Sequence, residues 1–148
     1  MVKRLKSYLL QMKAAACQGR RQFEKSAALL SEANRLRPND PFLLLFLADA
    51  YHRQGRHDDS LNALRQGLAL DSENSLLNRL MVDVLVDSGA PVEQLIPHVK
   101  AVLRNRTGGD AFPKWMQRFQ RFKEMEDYHD KWIAWAEKTL LDYETGKR

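Results

Sequence analysis

An all-α chain of stacked helical hairpins, closed at its C-terminal end by further helices, is the fold class that three features of this 148-residue sequence predict. The first is low turn content: seven Gly and five Pro beside 44% hydrophobic residues argue against a turn-rich all-β chain. The second is helical spacing of apolar residues, as in Leu61, Leu64 and Leu68. The third is self-similarity at a spacing of 34. Laying residues 27–40 over 61–74 brings Leu30 onto Leu64, Ala33 onto Gly67 and Leu36 onto Leu70, and upstream Ser26 onto Ser60. The length fits a single domain over residues 1–148.

The elements follow in order, with repeats at about 5–40, 41–74 and 75–107. The first helix, about residues 4–18, has two candidate inward frames, Leu9-Met12-Ala16 and Leu10-Ala14-Cys17. In the second copy Asn39-Asp40 supplies an N-cap and Pro41 a tolerated first-turn proline, so a helix runs over about 41–54. Gly55 ends it, and Asp58 is the expected cap of the next helix, which reaches about Leu70. Ala48, Ser60 and Gly67 leave room for close approach, while Leu44, Leu47, Tyr51 and Leu64 fill the space between the two helices. The third copy has Met81, Val82, Leu85 and Gly89 in its first half, then Pro91 and Pro97; Pro97 predicts a kink or restart. After Thr107-Gly108-Gly109, a helix starting at Pro113-Lys114-Trp115 carries Trp115, Phe119 and Phe122. A second stripe follows: Tyr128, Trp132, Trp135 or Ala136, and Leu140. Two such helices over about 112–144 cover the open end of the stack.

At Leu44, Leu47, Ala48, Tyr51, Ser60, Leu64, Gly67 and Ser72 the second copy resembles the tetratricopeptide repeat. That motif asks for large, Leu, small, Tyr, small, large, small and Pro at these places, and only the final Pro is missing. The flanking copies are degenerate versions of it. The resemblance implies a right-handed α-α superhelix, a solenoid whose concave groove is lined by the first helix of each pair. The matching positions here are Phe42, Leu45, Asp49, His52 and Arg53 in the second copy and Leu76, Arg79, Asp83, Val86 and Asp87 in the third. The ligand so implied is an extended or short helical peptide, with apolar pockets at Phe42, Leu45 and Leu76, carboxylates held by Arg53 and Arg79, and basic groups held by the aspartates. The alternative is that these residues contact the neighbouring hairpin, or C-terminal helices folding back into the groove. Some relatives clamp the acidic tails of heat-shock chaperones with Lys, Asn and Arg. At those places this chain has Gln11, Ala15, Phe46, Leu76 and Leu80, so the clamp is absent.

The function expected is therefore a protein–protein interaction module, an adaptor or chaperone-like scaffold that takes a partner peptide or helix. Charge supplies the alternative reading. Of the net charge of +5, residues 1–37 carry nine basic and two acidic groups, which suits nucleic acid or an anionic surface. A basic stripe at Lys114, Arg118 and Arg121 is cancelled by Glu124, Glu126, Asp127 and Asp130. Self-association through the C-terminal aromatics is a third possibility. No enzyme, cofactor or metal is expected: there is no Gly-rich phosphate loop and no Gly-x-Ser-x-Gly turn, and Glu126-x-x-His129 lacks a second copy. His52, His57 and His98 have no acidic partner at suggestive spacing and read as surface or turn residues. Cys17 reads as an inert thiol on an apolar side. One cysteine and no apolar run of membrane length suggest a cytoplasmic protein.

Overall fold

The computed structural model of the chain describes residues 1–105 and 122–146. Among them are seven helices: α1 (Val2–Gly19), α2 (Phe23–Leu36), α3 (Pro41–Arg53), α4 (His57–Leu70), α5 (Ser75–Asp87), α6 (Val92–Arg104) and α7 (Phe122–Glu144). α1 pairs with α2, α3 with α4 and α5 with α6, and each pair stacks on the next through its second helix, making a helical-hairpin solenoid. The first helices α3 and α5 also lie against each other, and α7 packs on α6. No described helix is long and apolar enough to cross a membrane.

The period of 34 is written into the turns. Within each hairpin one residue takes the left-handed conformation, at Arg21 (φ 59°), Gly55 (φ 73°) and Gly89 (φ 78°). The next amide closes the helix end by donating back to a carbonyl five residues earlier: Gln22 to Cys17, Arg56 to Tyr51 and Ala90 to Leu85, at 2.8, 3.0 and 2.9 Å. Glycine serves this turn in two copies because it lacks the Cβ that opposes positive φ; in the first copy Arg21 bears that cost. Between hairpins the device is an N-cap. The Asp40 carboxylate accepts from the amides of Phe42 and Leu43, and 34 residues on the Asn74 side chain accepts from Leu77. Asp58 does not cap α4 as expected. That helix begins at His57 behind Arg56 with no side-chain cap, and Asp58 sits in the first turn, where its charge complements the helix dipole.

Small residues set the packing distance. Ala14, Ala48, Ser60 and Gly67 are buried where helices meet. A Cβ added at Gly67 would lie 2.9 Å from Leu77 Cδ2, so glycine is what lets α4 approach α5. Two apolar clusters result. One joins Ala14, Ala27, Leu30, Ala33, Leu43, Leu47 and Ala50 across the first and second hairpins. The other runs from Ala48, Leu61 and Leu64 through α5 and α6 to Trp132 and Ala136 of α7.

Four other sequence readings meet the structure here. In α1 the inward frame is Leu10-Ala14-Cys17; Leu9, Met12 and Ala16 are exposed. α6 runs through Pro97 without a restart: the proline is exposed, and Leu95, Ile96, Val99 and Val102 are buried on both sides of it, which outweighs one forfeited helical bond. His98 is not a surface or turn residue. It is half-buried within α6, its Nδ1 2.9 Å from Asn78 Oδ1, in the place where the second copy pairs Leu44 with Leu64. In the C-terminal region Phe122 belongs to the same helix as Tyr128 and Leu140, and Ala136 rather than Trp135 is the buried member of the stripe. The helix expected to start at Pro113-Lys114-Trp115, with Trp115, Phe119 and the basic stripe beside them, lies outside the described residues.

Candidate binding groove

The caps at Asp40 and Asn74 start α3 and α5 in the same frame, so the residues of one helix face recur 34 positions apart on the other. On α3, Phe42 and Leu45 are half-buried, and Leu45 packs against the larger core cluster. One turn further on, Asp49 accepts from Arg53 Nε at 3.0 Å. The Arg53 guanidinium also stands 5.3 Å from the centre of the Phe23 ring. His52 reaches across to the neighbouring helix, its Nε2 2.6 Å from Asp87 Oδ2. This side-chain pair ties α3 to α5 at the end of the groove, beside exposed Val86.

On α5 the picture differs from expectation. Leu76 is only 8% exposed and does not line an open face. α5 is the central helix, packed by α3, α4 and α6, and most of its residues are consumed by that packing. Arg79 and Asp83 do point to the groove side but meet α7. Arg79 Nη1 donates to His129 Nδ1 at 3.2 Å, and its guanidinium lies 4.7 Å from the centre of the Tyr128 ring. Trp132 Nε1 donates to Asp83 Oδ1 at 2.9 Å.

Electrostatics follow from this enclosure. Burial pushes the Asp83 carboxyl above its ordinary value, opposed by the indole N–H and by Arg79. Burial lowers Arg79, though a guanidinium starts so high that it stays charged. His129 is lowered by burial and then by Arg79, which keeps its ring neutral; since arginine only donates, Nδ1 is the accepting nitrogen. No three or more His, Cys, Asp or Glu side chains converge to hold a metal ion among the described residues.

Sequence reasoning assembled the right helices but not their occupancy. Phe42, Leu45, Asp49, His52, Arg53 and Asp87 come together on one side. Leu76 is core, and Arg79 and Asp83 are engaged by Tyr128, His129 and Trp132, about fifty residues further along the chain. The apolar stripe at 128–140 signals that α7 packs on something. Nothing in its spacing names Arg79 or Asp83 as the target.

Residues 19–84 match the model of the tetratricopeptide repeat family. A search of the curated proteins finds no match. Among solved structures, the tetratricopeptide domain of Sgt2 from Aspergillus fumigatus superimposes with a TM-score of 0.69 at 15% identity, covering 96% of this chain and 83% of that one. The first tetratricopeptide domain of Spaghetti (RPAP3), solved with an HSP90 peptide, gives 0.64 at 14% identity, covering 88% and 95%. The Yersinia enterocolitica type III secretion chaperone SycD, solved with a peptide of the translocator YopD, gives 0.64 at 12%, covering 88% and 91%. The fold is thus that of tetratricopeptide-type helical solenoids.

Proposed function

We propose that this chain is a single-domain interaction module that holds a segment of a partner protein, peptide or short helix, on the first-helix face centred on α3. The observation that carries this reading is the makeup of that face. Half-buried Phe42 and Leu45 stand beside Asp49, Arg53 and the His52–Asp87 pair, so apolar seats and both signs of charge alternate within a few turns. The third-copy half, Arg79 and Asp83, is engaged by α7 in the same chain, so the face offered to a partner is narrower than the ten residues the resemblance implies. The peptides held by the Spaghetti domain and by SycD support a peptide ligand. An acidic chaperone tail is the wrong kind: the clamp positions hold Gln11, Ala15 and Phe46, and the last two, Leu76 and Leu80, are buried.

Site-specific photo-crosslinking tests this. A benzophenone side chain at position 42 or 49, on the intact chain in lysate of the source cell at about 0.5 M salt, where charges are screened within a few Å, should trap one discrete protein. The same group at position 66, on exposed Gln66 of α4, should not. Arg53→Glu should abolish trapping with helical content unchanged. Trapping that is equal from all three positions, or that vanishes with salt or nuclease, would refute the groove and return the weight to the basic residues 1–37.

A further inference from the structure

The solenoid presents a second apolar surface, separate from the groove, at its N-terminal end. Val2, Leu5, Leu9, Met12 and Ala16 follow one another at three- and four-residue steps along α1, on the side opposite Leu10 and Ala14. They are exposed: Val2 80%, Leu5 61%, Leu9 51% and Met12 45%. At about 1.5 Å per residue the stripe is about 20 Å long. α1 is therefore apolar on two faces, one spent on α2 and the other open to solvent.

The 34-residue period shows what such a stripe is for. Leu9, Met12 and Ala16 are the counterparts of Leu43, Phe46 and Ala50 on α3 and of Leu77, Leu80 and Val84 on α5. On α3 these residues pack in the cluster that contains Ala27, Leu30 and Ala33 of α2; on α5 they are buried with Leu61 and Leu64 of α4. In both cases the incoming element is the second helix of the hairpin before. At the better-defined crossing it brings a small residue, Gly67, against Leu77. We infer that the outward stripe of α1 is a docking seat for an amphipathic helix of another protein, with acidic residues along the borders of its apolar row and a small residue at the crossing.

Charge selects the occupant. Residues 1–23 contain no Asp or Glu but six basic residues: Lys3, Arg4, Lys6, Lys13, Arg20 and Arg21. Lys6 and Lys13 border the stripe on one side and Arg4 on the other. A second copy laying its own α1 on this one would set lysines against lysines. A helix bordered by Glu or Asp would pair with them, and would meet a surface already shaped to receive a helix rather than a flat bilayer.

The test uses the full chain and a synthetic 18-residue helical peptide with a Leu-x-x-Ala row bordered by Glu, read by fluorescence anisotropy. The control peptide has Lys in place of Glu. The Glu peptide should bind at least tenfold more tightly at low salt; Leu9→Glu and Met12→Glu should each weaken it at least tenfold with unchanged circular dichroism, and Arg53→Glu in the groove should leave it untouched. Four results overturn the inference. They are no binding of the Glu peptide at about 100 µM chain, equal binding of both peptides, a stable dimer that Leu9→Glu dissolves, and sedimentation with phosphatidylglycerol vesicles that Leu9→Glu abolishes. The last two would assign the stripe to a second copy or to a membrane surface.

Discussion

Replacing Trp132 by Phe should loosen α7 from α5 while leaving the three hairpins folded. The indole N–H is 2.9 Å from Asp83 Oδ1, and burial already pushes that carboxyl upward, so removing the donor leaves a half-buried carboxylate with one fewer hydrogen bond. A hydrogen bond to a charged group contributes about 1.5–3 kcal/mol. Phe keeps an aromatic ring in the apolar cluster beside Ala136, so most of the packing survives. With each 1.4 kcal/mol a factor of ten, the open population of α7 should rise about 10- to 100-fold. Trp132→Ala adds a cavity, and its cost of about 3–5 kcal/mol should release α7 outright. Amide hydrogen exchange reads this directly. Residues 128–144 should exchange faster by that factor in the Phe variant while α3 and α4 keep their protection. Because the effect runs through one pair, Trp132→Phe made in an Asp83→Asn background should cost at least about 1 kcal/mol less than in the wild type. Unchanged exchange in α7 would show that the bond contributes nothing. Equal acceleration in α3 and α4 would show that α7 does not open as a separate element.

The first-copy turn offers a stabilising change. Arg21 holds φ 59° where the other copies have Gly55 and Gly89, so Arg21→Gly should raise stability by up to about 1 kcal/mol in urea unfolding, and a loss would refute the strain assigned to that turn. Asn78 and His98 form a polar contact where the second copy has Leu44 and Leu64. Asn78→Leu and His98→Leu should each cost about 1–3 kcal/mol by orphaning the other, and the double variant should cost clearly less than their sum; additive losses would show the pair to be uncoupled. The same histidine sets a pH dependence. Burial lowers its pKa below 6.5, so the fold favours the neutral ring; its contribution is fully present above the unfolded value and is lost as pH falls below 6.5 toward the folded value. The unfolding midpoint should drop on acidification through this window, less so in the double variant, and an identical pH profile for the two proteins would refute the assignment.

What this sequence determines by itself is everything that recurs locally at 34 residues. Left-handed turns after α1, α3 and α5, caps at Asp40 and Asn74, and small residues at Ala48, Ser60 and Gly67 are choices each hairpin makes within itself or with its nearest neighbour, so spacing and residue type expose them. The Asn78–His98 pair was open to the same reading, since both stand 34 residues from a leucine in the second copy. Tertiary structure alone decided the rest. Periodicity cannot orient a helix that is apolar on two faces, so which side of α1 turned inward depended on where α2 lay. The position-by-position correspondence of Phe42 and Leu76 predicts equal exposure, yet Leu76 is core because α5 has neighbours on more sides than α3 can reveal. That Tyr128, His129 and Trp132 would meet Arg79 and Asp83 lies furthest from the sequence. A contact between residues about fifty positions apart is selected by the shape left open after all the local rules are satisfied, and no local spacing records that shape.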